Sequence, residues 1–142
     1  MIKVLIAVDG SAPSNRAIEA VAQLAELAGP VNVVLVHVRE RVSLVAGLSS
    51  ATRGQLEQAH QREQDKLIAA ALDHARGCGL TIGTTRRAEG SAAPEIVAAA
   101  AECGADRIVL GTRGMGAIGS LFLGSIAQRV VQLADVPVLL VK

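Results

Sequence analysis

Arg107-Ile108-Val109-Leu110 leads into Gly111-Thr112-Arg113-Gly114-Met115-Gly116-Ala117-Ile118-Gly119-Ser120-Leu121-Phe122-Leu123-Gly124-Ser125, and from there into Ile126, Ala127, Val130, Val131 and Ala134 at helical spacing. This is a short β-branched apolar strand, a loop with five glycines, and an amphipathic helix. Glycine admits positive φ and close backbone approach. Successive N–H groups can therefore converge on an anion while the following helix points the positive end of its dipole at it. A tight turn needs fewer glycines, so the stretch reads as a loop built to hold phosphate.

Two familiar patterns fail to explain it. Gly119 to Ser125 spells GxxxxGS, but Ser125 follows Gly124 directly and the lysine of a P-loop is missing. Gly114 to Gly119 matches GxGxxG. A dinucleotide fold, however, carries that fingerprint after its first strand, with a second mononucleotide half beyond, and here only one helix and one strand remain.

Outward from the loop, strands are predicted at Ile2 to Val8, Val31 to Val38 and Val136 to Val141, with a polar-apolar edge strand at Leu80 to Thr85. Helical patterns fill the gaps. The first carries Ile18, Val21, Ala22 and Ala25, with Pro13 near its first turn and Gly29-Pro30 closing it. The second runs from Gln55 to Arg76 with a polar middle, and the third includes Pro94 to Ala101 and stops at Gly104. Alternation of strand and helix implies parallel pairing with right-handed crossovers, an α/β doubly wound sheet with helices on both faces. Glu40 to Thr52 is the one long connection, apolar at Val42, Leu44, Val45 and Leu48, and suggests a lid, a partner surface or a short extra helical turn. The 142 residues suit one domain.

Composition excludes several function classes. Hydrophobic residues make up 51% and the net charge is +1, which recommends neither nucleic acid nor an acidic membrane as partner. With no Trp or Tyr and a single Phe, there is no stacking platform for bases, so an adenine would rest on aliphatic walls and backbone groups. The apolar run Val4 to Val8 is too short for a signal-peptide core or a membrane span, and the expected location is cytoplasmic. Cys78 and Cys103 lack metal or CxxC spacing and read as reduced thiols.

Asp9 closes the first strand in Val8-Asp9-Gly10-Ser11. In an open parallel sheet, ligands sit beyond the carboxyl ends of the strands where the order reverses. If the strands ending at Asp9 and Gly111 are adjacent, the carboxylate and the glycine loop line one crevice. There Asp9 would accept from ribose hydroxyls or an adenine amine, or help hold a metal; it is equally suited to cap the helix near Ser11. His37 lies in a buried strand, either near a base or as a satisfied core histidine. His60 and His74 have no metal-spaced partners, and no base can be assigned to Ser11 or Ser14 as nucleophiles.

With these features located, the chain resembles the universal stress protein family over its whole length. The pattern G-x2-G-x9-G-[ST] is met by Gly111, Gly114, Gly124 and Ser125. Val8-Asp9-Gly10-Ser11, Leu35-Val36-His37-Val38, Gly104-Ala105-Asp106 and Val136-Pro137-Val138-Leu139 are similar to the family as well. The resemblance implies a Rossmann-like sheet of order 3-2-1-4-5, of the adenine nucleotide alpha hydrolase type, binding ATP with Mg or Mn through the phosphates. By matching positions, Asp9 and the backbone near Val38 would meet adenosine, Ala7 and Leu110 would wall the site, and Gly111 would approach the ribose. Gly114, Gly124, Ser125 and Ile126 would hold the phosphates. Arg113 is the nearby cation, since Met115 to Leu123 contains no Lys or Arg. A homodimer through Val138, Leu139, Leu140 and Val141 is also implied, and that apolar edge needs cover on its own account. The expected function is a nucleotide-binding regulator of the stress response with no assigned catalytic residue. Slow ATP hydrolysis or autophosphorylation, and a nucleotide-independent dimeric adaptor, are the alternatives.

Overall fold

A computed structural model describes residues 1–41, 47–113 and 123–142. Five strands and four helices alternate along these residues: β1 Lys3–Ala7, α1 Ala12–Ala28, β2 Asn32–Arg39, α2 Ser50–Gly77, β3 Thr84–Glu89, α3 Ala92–Cys103, β4 Arg107–Gly111, α4 Ser125–Leu133 and β5 Val138–Val141. All four strand pairings are parallel, and the sheet order is β3-β2-β1-β4-β5. Winding proceeds outward from β1 to β3 on one side, then returns to β4 and β5 on the other, so the order reverses between β1 and β4.

Period-two alternation along the central strands divides the core in two. Val4, Ile6, Val33, Leu35 and Val109 face α1 and α2, where they meet Ile18, Val21, Ala71 and Ala75. Leu5, Val34, Val36, Ile108 and Leu110 face α3 and α4, where they meet Ile96, Ala99, Ala100, Ala127 and Val130. Both faces of β1, β2 and β4 are thus buried, as crossover helices on both sides require.

Two expectations are corrected. The third strand occupies Thr84–Glu89 rather than Leu80 to Thr85. Leu80 is buried and Ile82 packs against the α1–α2 core, but both belong to the segment entering the strand. The pairing itself is carried by Thr84-Thr85-Arg86-Arg87-Ala88-Glu89 against Val34 to Arg39. Parallel register fixes the strand by backbone hydrogen bonds, and at a sheet edge polar side chains meet no penalty. The second helix begins at Ser50, ahead of the expected Gln55, because Ser49 caps it: Ser49 Oγ accepts from Thr52 N–H at 3.2 Å. The long connection after Glu40 is shortened accordingly; Val42, Leu44 and Val45 lie outside the described residues.

Candidate functional site

The turn leaving β1 is held by three hydrogen bonds among Asp9, Ser11 and Ser14. Gly10 takes φ +81°, which reverses the chain, and Asp9 Oδ1 then accepts from Ser11 N–H at 2.9 Å. Ser11 is the N-cap of α1, its Oγ accepting from Ser14 N–H at 3.2 Å, and the buried Ser14 Oγ accepts in turn from Asp9 N–H at 3.1 Å. Capping thus falls to Ser11, while Asp9 holds the turn and sits half-buried at the end of β1.

The β4 end lies against this turn. A Cβ at Gly111 would come within 2.7 Å of Pro13 Cβ and 2.9 Å of the Pro13 carbonyl carbon, so only glycine lets β4 run beside the start of α1. Thr112 N–H donates to Val141 O at 2.8 Å, and Gly124 N–H donates to Thr112 O at 2.6 Å, which pins the far end of the glycine loop to the strand it left. Gly124 is the N-cap of α4 and offers no side chain to the helix. The first N–H groups of α4 therefore have no capping side chain, and the helix dipole adds positive potential there.

Between these parts lies a cavity of about 560 Å3 at the carboxyl ends of β1 and β4, the point where strand order reverses. Ala7, Asp9, Val38, Leu110, Gly111 and Arg113 line it, and Gly124, Ser125 and Ile126 line it from the start of α4. The structure brings together every site residue expected from sequence except Gly114, which lies outside the described residues. Sequence reasoning missed part of the lining: Val36 and Glu40 from β2 and its exit, and Ala92 and Ile96 from α3. The alternation of β2 was a usable signal for Val36, which shares a face with Val38. Nothing in the sequence aims α3 at this crevice.

His37 points to the other side of β2. The buried Gln64 reaches it from α2, with Nε2 at 3.0 Å from His37 Nδ1, 3.3 Å from His37 O and 3.2 Å from Ala88 O. Two carbonyls accept only, so the amide nitrogen must face them and Nδ1 must accept, which leaves the imidazole proton on Nε2. Burial holds the His37 pKa below its ordinary value, against the opposing pull of Asp9. His37 is a satisfied histidine and not part of the cavity wall. Just beyond it, Arg39 Nη2 meets Glu57 at 2.6 Å and Glu89 at 2.7 Å, and Arg41 Nε meets Glu89 at 2.7 Å. These contacts hold the Glu89 carboxyl below its usual range and raise Arg39 further. No group of three or more metal-ligating side chains occurs among the described residues, and none of their helices is long and apolar enough to cross a membrane.

Fold and crevice together define a doubly wound α/β protein with a cavity at its topological switch point. A model of the universal stress protein family matches residues 1–142, and the chain belongs to that family. It is 39% identical over 142 residues to the universal stress protein in the QAH/OAS sulfhydrylase 3' region of Thermus aquaticus, covering 98% of this chain and 97% of that one. A universal stress protein solved in complex with cAMP superposes with a TM-score of 0.65 at 25% identity, covering 99% of this chain and 96% of that one. A family member from Arabidopsis thaliana with AMP bound shares the fold, with a TM-score of 0.71 at 18% identity, covering 100% of this chain and 92% of that one.

Proposed function

We propose that the chain binds an adenine nucleotide in the switch-point cavity, ATP carrying Mg2+ or Mn2+ on its phosphates, and acts as a nucleotide-responsive regulatory dimer in the cytoplasm. The observation that carries this reading is one cavity of about 560 Å3 with an apolar wall at one end and the side-chain-free N-cap of α4 at the other. Ala7, Val38 and Leu110 supply aliphatic surface for a base, Asp9 an acceptor for ribose or amine, and Gly124, Ser125 and Ile126 backbone donors for phosphate. The relatives solved with cAMP and with AMP support the adenosine moiety.

A divalent cation fits as a passenger on the phosphates. The lining offers the carboxylates of Asp9 and Glu40 and the hydroxyl of Ser125, oxygen donors of the kind Mg2+ and Mn2+ accept, without the dense cluster of a resident site. Bound there, the cation would neutralise phosphate charge.

The last strand supports dimerisation. β5 is a sheet edge, Leu139 is 43% exposed and Val131 of the neighbouring α4 is 48% exposed, an apolar margin that a second copy would cover. Calorimetric titration with Mg-ATP tests the proposal. Saturable binding is expected, weakened about tenfold or more by Ile126→Glu, which sets a carboxylate among the phosphate donors at a position already partly exposed. Absence of binding, or equal binding by the variant, contradicts it.

A further inference from the structure

The cavity's charge is unusual for a site that takes polyphosphate. Among its described lining residues the charged side chains are Asp9, Glu40 and Arg113, two acids against one base. Residues 114–122, outside the described residues, contain no charged side chain in their sequence. Neither Asp9 nor Glu40 forms an ion pair among the described residues.

Glu40 differs from Asp9 in how it is held. Asp9 Oδ1 is committed to Ser11 N–H in the turn, whereas Glu40 stands exposed just beyond β2. Its two sequence neighbours are cations, but both are engaged elsewhere: Arg39 with Glu57 and Glu89, Arg41 with Glu89. Glu40, one of the residues that line the cavity, is therefore left with a charge uncompensated by the arginines beside it. Charges within one cavity of about 560 Å3 are separated by distances on the order of the Debye length, about 8 Å at physiological ionic strength, so a phosphate bound inside feels this carboxylate only partly screened.

On the nucleotide reading given above, we infer that the cavity is a charge filter in which Glu40 is the specificity-determining residue. It disfavours metal-free ATP and admits adenine nucleotides of low charge, a cyclic monophosphate above all, or ATP once a divalent cation has neutralised part of its charge. The repulsion grows with ligand charge, about one negative charge for cAMP, about two for AMP and about four for free ATP. Removing one carboxylate from the wall must therefore help ATP most and cAMP least.

The test is a set of calorimetric titrations of the full chain and of Glu40→Gln with cAMP, AMP and ATP, each in EDTA and in Mg2+. Glu40→Gln keeps the shape of an exposed side chain and leaves the fold undisturbed. In EDTA the ratio of ATP to cAMP affinity rises about fivefold in the variant, AMP moves by an intermediate amount, and the gain for ATP shrinks when Mg2+ is present or KCl is raised to about 0.5 M. An unchanged ATP to cAMP ratio, or an equal change for all three ligands, overturns the filter while leaving nucleotide binding intact. Binding of none of the three to the unmodified chain overturns the nucleotide reading and the filter with it.

Discussion

Gly111 and His37 are the residues whose environments make the sharpest demands. The family resemblance implies that Gly111 approaches a ribose; in the fold it lets β4 pass Pro13, where a Cβ would sit 2.7 Å from Pro13 Cβ. Gly111→Ala should therefore destabilise the fold by about 1–3 kcal/mol, the usual cost of overpacking, read as a lowered urea midpoint at unchanged slope. A wild-type midpoint would show that α1 gives way. At His37 the sign of the pH dependence is fixed by burial. Its folded-state pKa lies below the ordinary 6.5, so the unfolded chain takes up the proton first; the contribution is complete above about 6.5 and is lost as pH falls toward the lowered folded value. Urea midpoints measured from pH 7.5 to 5.5 should decline, and His37→Gln should flatten that decline; an unaltered pH slope in the variant refutes the assignment. From sequence His37 could be either a core histidine or a neighbour of the base. The deciding fact, Gln64 arriving from α2, is a long-range contact that no local pattern encodes.

Among the elements, the buried strands were legible because β-branched runs such as Val33-Val34-Leu35-Val36 need apolar cover on both faces. β3 was misplaced for the complementary reason. Its residues Thr84 to Glu89 carry little apolar signal, and Leu80 and Ile82, which do, serve the core from outside the strand. The start of α2 was signalled by Ser49, but the polar stretch behind it hid the helix. β5 is the element with an open consequence. Its Leu139 is exposed at a free sheet edge, and Leu139→Lys should convert a dimer to a monomer in sedimentation equilibrium while leaving the circular dichroism of the fold unchanged. Monomeric behaviour of the unmodified chain would refute the dimer, and a dimer that survives the substitution would place the interface elsewhere.

At the scale of the whole molecule, the site is a consequence of topology. Reversal of strand order between β1 and β4 opens the crevice, and the turn at Asp9 and the cap at Gly124 reach it from opposite ends of the chain. The glycine spacing and Asp9 revealed both ends in the sequence. The side wall from α3, Ala92 and Ile96, was not legible, because which helix leans over a crevice depends on packing across the sheet. The β2 strand separates this crevice from the cleft on its other face, where His37, Gln64 and Lys66 lie, so a ligand's position discriminates between the two sides. Titration of the 15N-labelled chain with Mg-ATP, followed by amide shifts, tests the central claim most directly. The account predicts saturable shifts concentrated at Ala7, Asp9, Leu110, Gly111, Ser125 and Ile126. Shifts absent throughout, or gathered around Gln64 and Lys66 instead, would contradict it.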